Sequence, residues 1–128
     1  MTPKKIPLPT TTELEILEVL WRDGKATVRD IYEELERRRP MGYTSILKLL
    51  QIMHGKGLVA RDESSRTHVY RAAVVQRDTQ ERLVDDLMSR AFGGSAAELV
   101  MRALDTKPAS EAERQQIRAL LDRLEKQR

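Results

Sequence analysis

Cysteine is absent from this sequence of 128 residues, which excludes disulfides, thiolate metal sites and cysteine nucleophiles together. Aromatic residues amount to only 4%, with a single Trp and a single Phe, a scarcity that argues against an aromatic-rich β-sandwich. No apolar run approaches the roughly 20 residues of a membrane span. The opening MTPKKIPLPTTT lacks the apolar middle of a signal peptide, so a cytoplasmic chain with no membrane partner is expected. Catalytic groupings are missing too. Ser64, Ser65, Ser89, Ser95 and Ser110 fall in caps, turns or a helix surface without a spaced His and Asp, and no glycine-rich phosphate loop occurs. His54 and His68 are isolated from any acidic residue or second His at ligand spacing. The chain therefore reads as no enzyme, with neither a cofactor nor a metal.

What is present is charge and helix-forming apolar residues, 34% and 40% of the chain. That length and balance suit one or two small domains made of helices with solvated faces. The formal net charge is only +3, so distribution carries more information than the sum. Positive charge bunches at Arg37 to Arg39, Lys48, Lys56, Arg61 and Arg66, as a phosphate-contacting surface requires.

The most informative stretch is Gly42 to Tyr70. Ile46, Leu49, Leu50 and Met53 recur three or four apart, giving a helix from about Tyr43 to Gly55 one apolar face, with Tyr43, Thr44, Lys48 and Gln51 turned outward. Lys56-Gly57 stops it with a cation and a residue free to take positive φ. Leu58 to Ala60 and Thr67 to Tyr70 then read as the two strands of a hairpin, with Arg66 at its turn. A helix leading into a hairpin with a cation at the tip is the layout of a winged helix-turn-helix that places its helix in the DNA major groove.

Around this stretch, Met1 to Pro9 should be an irregular arm, and either Thr10 or Thr12 can open a first helix by a capping box with Glu13 or Glu15. Leu14, Leu17, Leu20 and Trp21 form its core face, with Trp21 the largest anchor, and Asp23-Gly24 ends it. Lys25 and Ala26 are a short link. A second helix opens at Thr27-x-x-Asp30, carries Val28, Ile31, Tyr32 and Leu35 inward, and yields to a turn at Arg37 to Pro40. After a link from Arg71 to Gln76 come three further helices, broken at Gly93-Gly94 and Lys107-Pro108, the last two capped by Ser95 and Ser110. Their apolar stripes are too small for a comfortable core, so pairing with a second copy is expected. Leu83, Leu87, Ile117, Leu120, Leu121 and Leu124 are the candidate dimer residues. The expected fold is mainly α with a small β-hairpin, a winged helix-turn-helix over residues 1–72 and a helical dimerisation domain over 73–128.

Candidate DNA-binding residues are Thr44, Ser45 and Lys48 on the third helix, with Tyr43 and Gln51 beside them, and Arg66 at the wing tip. Thr44 and Ser45 also suit the plain job of satisfying N–H groups at a helix start. Arg37 to Arg39 read either as a solvated face or as phosphate contacts, and His68 as facing outward on the wing. The competing reading is a winged-helix protein-interaction module that binds no DNA.

LPTTTELEILEVLW, GYTSILKLLQIMHGKGLV and SRTHVYRA, in this order, resemble the penicillinase repressor family, BlaI/MecI, with the related copper-responsive CopY repressors. The resemblance runs over about residues 6 to 125. It implies a homodimeric repressor of β-lactam resistance genes on a dyad, double-stranded DNA operator. By position, it puts the family's base-reading residues on Thr44, Ser45 and Lys48 and its wing arginine on Arg66, while Ile52 stands where close relatives have arginine. In penicillinase repressors a membrane sensor-protease signal leads to cleavage of an Asn-Phe bond. Here Arg102-Ala103 occupies that place, which leaves a regulatory protease an open partner. The cysteine-rich hook of the copper-responsive branch has no counterpart.

Overall fold

The computed structural model describes residues 6–127. Of the expected irregular arm, residues 1–5 lie outside the described part, and Ile6 to Pro9 carry neither helix nor strand. The chain falls into two compact units, one ending at Leu83 and the other starting at Val84.

In the first unit, α1 (Thr11–Asp23) is opened by Thr10 rather than Thr12. The Thr10 hydroxyl accepts from the Glu13 N–H at 3.3 Å, and the Glu13 carboxylate accepts from the Thr10 N–H at 2.9 Å. Gly24, at φ 85°, ends the helix. Strand β1 (Ala26–Thr27) follows, then α2 (Val28–Glu36), opened by a second box between Thr27 and Asp30. Next come α3 (Tyr43–Lys56), β2 (Val59–Asp62) and β3 (Val69–Ala72).

The expected link at Lys25-Ala26 is thus partly a strand. Ala26 pairs with Tyr70 and Thr27 with Val69, making the hairpin a three-stranded antiparallel sheet in the order β1-β3-β2. A two-residue strand has no readable period of its own; the free edge of β3 creates it. The second hairpin strand also lies two residues later than expected, because the register sets Asp62 opposite Val69 and Val59 opposite Ala72, leaving Thr67 and His68 in the connection.

One core joins these elements. Ile16, Leu17 and Leu20 of α1, Ile31 and Leu35 of α2, Ile46, Leu50 and Met53 of α3, with Leu58 just before β2 and Tyr70 of β3, are fully buried. Each such side chain contributes about 1.5–3 kcal/mol, enough together to hold three short helices on a small sheet. Trp21, expected as the largest anchor, is only half-buried. Its indole N–H donates to the Val74 carbonyl at 2.9 Å, and the hydrogen bond keeps the ring at the core's edge. Tyr70 is the largest fully buried side chain.

Helix α4 (Gln76–Ala91) carries the junction between the units. Met88 and the paired glycines close it, with the Gly94 N–H donating to the Met88 carbonyl at 3.0 Å. The second unit continues with α5 (Ala96–Thr106) and α6 (Glu111–Lys126), capped by Ser95 and Ser110 as expected. No residue of this unit is fully buried among those described. Half-buried Phe92, Leu99 and Ile117 face a surface on which Val84, Leu87, Val100, Met101, Leu104, Leu120, Leu121 and Leu124 stand exposed. No described helix is long and apolar enough to cross a membrane.

Candidate nucleic-acid interface

Helix α3 presents two chemically different sides. Ile46, Leu50 and Met53 are completely inaccessible, whereas Tyr43, Thr44, Ser45, Lys48 and Gln51 are exposed, as is Ile52. Gly42 caps the helix without a side-chain hydrogen bond, and no acidic residue stands in the first turn. The positive end of the helix dipole is therefore left without an acidic neighbour in its own first turn, beside the hydroxyls of Thr44 and Ser45. At the other end Gly57 takes the left-handed conformation (φ 85°), and the Leu58 N–H donates to the Met53 carbonyl at 2.9 Å, turning the chain into β2.

The basic residues that looked like one cluster are sorted by their partners. Arg37 lies 3.3 Å from Glu34, Arg38 lies 3.8 Å from Glu15, Arg39 meets Glu15 at 2.7 Å, and Arg61 meets Glu63 at 2.6 Å. Lys56 donates to Glu13 at 2.8 Å. Lys48 and Arg66 are the two of that set with no carboxylate partner among the described residues. A continuous free phosphate-binding surface was therefore too broad an expectation. Arg37 is neutralised within its own turn by Glu34, whereas Arg38, Arg39 and Lys56 meet acids of α1 brought to them by packing, and Lys48 and Arg66 meet none among the described residues.

Glu13 is the least obvious member of this arrangement. It is 1% exposed and spans two elements, one oxygen on the Thr10 N–H and the other on the Lys56 ammonium, so it ties the start of α1 to the last residue of α3. Burial pushes its carboxyl up, but the Lys56 hydrogen bond, the Thr10 backbone bond and the lysine charge outweigh that and hold it below the usual range. The capping-box spacing identified Glu13 in the sequence; its partner 43 residues away had no local signal.

Tyr43, at the first position of α3, is fixed by α2. Its ring meets that of Tyr32 edge-on with centroids 5.6 Å apart, and the Arg29 guanidinium lies 5.5 Å from its centroid. Arg66 sits with His68 in the β2–β3 connection, His68 half-buried rather than facing fully outward. Both line a groove of about 460 Å³ shared with Tyr43 and Leu47.

The candidate dimer residues divide by exposure. Leu83 and Ile117 are half-buried, and Leu87, Leu120, Leu121 and Leu124 are about half exposed. Leu87 also lines an apolar groove of about 350 Å³ with Val84, Phe92 and Leu99. Arg102 and Ala103 lie within α5, both exposed, with the Ala103 carbonyl accepting from the Lys107 N–H at 3.0 Å.

Three helices on a small antiparallel sheet, the third leading straight into a two-stranded wing, define a winged-helix fold. The penicillinase repressor family model matches residues 9–123, and the chain belongs to that family. The transcriptional regulator BlaI of Mycobacterium tuberculosis is 32% identical over 104 residues, covering 79% of this chain and 75% of that protein. A solution structure of the DNA binding domain of the repressor BlaI superposes with TM-score 0.52 at 25% identity, over 59% of this chain and 92% of that one. The monomeric form of Bacillus licheniformis BlaI, solved in complex with the blaP half-operator, gives TM-score 0.51 at 24% identity, over 58% and 90%.

Proposed function

We propose that the chain is a sequence-specific transcriptional repressor that binds a dyad DNA operator as a homodimer. The observation that carries the reading is the division of α3 into a sealed apolar side and an open side bearing Thr44, Ser45, Lys48 and Gln51, with Tyr43 locked at its start. A helix held this firmly from behind can enter the major groove without losing its orientation, and hydroxyls and a lysine suit base edges there. Arg66, across the groove on the wing, suits flanking phosphate or the minor groove. The BlaI domain solved on a half-operator supports the same use of the fold.

The second unit supplies the pairing. Its apolar residues are arranged on helical stripes yet remain open to water, and Leu87, Leu120, Leu121 and Leu124 of two chains would cover one another. A dimer places two copies of α3 at a separation set by these helices, matching two half-sites of a palindrome. Operators of β-lactam resistance genes are the proposed class of target.

A gel shift with the duplex upstream of the chain's own gene, run at several salt concentrations, tests the proposal. Binding should be tighter than to a random duplex and should weaken steeply with salt, because phosphate neutralisation releases counterions. A shift that is absent, or indifferent to salt, overturns it in favour of a protein-interaction module.

A further inference from the structure

The groove between the start of α2, the start of α3 and the wing has a chemistry that base reading by α3 does not use. Its lining includes Thr27, Arg29, Tyr43, Arg66 and His68, and contains no Asp or Glu. Elsewhere in this unit most arginines of the expected cluster are matched to acids, so a carboxylate-free recess with two guanidiniums and an imidazole stands apart. A duplex that takes α3 in its major groove and the wing over the flanking minor groove must run one sugar-phosphate strand between them, since a strand separates the two grooves.

We propose that this recess is a cradle for that strand, in which Arg29 and His68 join Arg66 as phosphate ligands. The inference rests on the DNA-binding reading above and adds residues to it. Arg29 is positioned by its stacking over Tyr43. Its carboxylate neighbour, Glu33, lies 3.8 Å away with both side chains well exposed, an ion pair weak enough to be exchanged for phosphate. The Thr27 hydroxyl already accepts from the Asp30 N–H at 3.1 Å, which leaves its own proton free to donate to a phosphate oxygen. The His68 side chain makes no hydrogen bond among the described residues, and its ring nitrogens are available to the same strand.

The experiment compares the wild-type chain with Arg29→Gln, Arg29→Lys and His68→Gln on the upstream duplex and on a random duplex of equal length. Dissociation constants are measured across a salt series, with thermal unfolding confirming that each variant is folded. Arg29→Gln should weaken both duplexes by a similar factor, roughly fivefold, and should lower the magnitude of the salt slope by about 0.9. Arg29→Lys should keep the wild-type slope, and His68→Gln should weaken both duplexes alike. An unchanged slope for Arg29→Gln, no loss for His68→Gln, a loss confined to the upstream duplex, or Arg29→Lys behaving like Arg29→Gln would overturn the cradle. A wild-type chain that binds neither duplex refutes the DNA-binding reading itself, a result distinct from all of these.

Discussion

Lys48 and Arg66 are both cations without a carboxylate partner among the described residues, but they occupy different places: Lys48 rises from the exposed side of α3 one turn after Thr44, and Arg66 from the wing connection. Lys48→Ala should weaken binding to the operator more than to random DNA, by about 1–3 kcal/mol of discrimination. Arg66→Ala should weaken every sequence alike with a shallower salt dependence. Competition binding against the two duplexes distinguishes them, and equal losses for Lys48→Ala would remove it from base reading. Glu13 calls for a different measurement. Replacing it by Gln keeps an acceptor for the Thr10 N–H but strips the Lys56 ammonium of its charged partner, and should cost roughly 1–2 kcal/mol in a denaturant titration. Because the folded carboxyl is held below its ordinary value, its contribution is fully present above the unfolded pKa of about 4.3 and disappears as pH falls through the lower folded value. The gap between wild type and Glu13→Gln should therefore narrow as pH falls below the unfolded value and close once it passes the lower folded one, and a gap that persists through acid titration would mean the ion pair is not its source.

At the scale of elements, the ends of α3 illustrate which features a sequence can carry. Gly55 sits inside the helix with open space where a Cβ would go, while Gly57 has φ 85° and ordinary clearance of 3.6 Å to Ile6. Gly55→Ala should raise stability by up to about 1 kcal/mol, and Gly57→Ala should lower it by roughly 1–2 kcal/mol through backbone strain alone; opposite shifts in midpoint temperature check both. The helix stop at Gly57, the capping boxes at Thr10 and Thr27 and the alternation of buried Ile46, Leu50 and Met53 with exposed Lys48 and Gln51 were all legible, since each arises from residues within four positions of one another. Strand β1, the inward seat of Tyr70 and the edge position of Trp21 were not, because each is decided by a partner far along the chain, Tyr70 for Ala26 and Val74 for Trp21. The candidate interface followed the same rule. The exposed side of α3 was visible in its period, whereas the meeting of Arg38 and Arg39 with Glu15 and of Arg29 with Tyr43 depends on packing between helices.

Across the whole molecule the two units differ in how much they bury by themselves. The first encloses a core of fully inaccessible side chains, and the second has none among its described residues. Charged replacement of Leu120 and Leu121 together should leave the proposed dimer dissociated, with a monomer mass in sedimentation and far weaker operator binding; an unchanged dimer would place the contact elsewhere. Under the proposed function, the open leucines of α6 have a consequence for gene control. If those helices gain their enclosure from a second chain, assembly depends on the square of the chain's abundance, and occupancy of the operator climbs more steeply than in proportion to the number of copies in the cell. Halving the supply, by dilution at division or by degradation, would then lift repression by more than half, so that a graded fall in protein becomes a sharper rise in transcription.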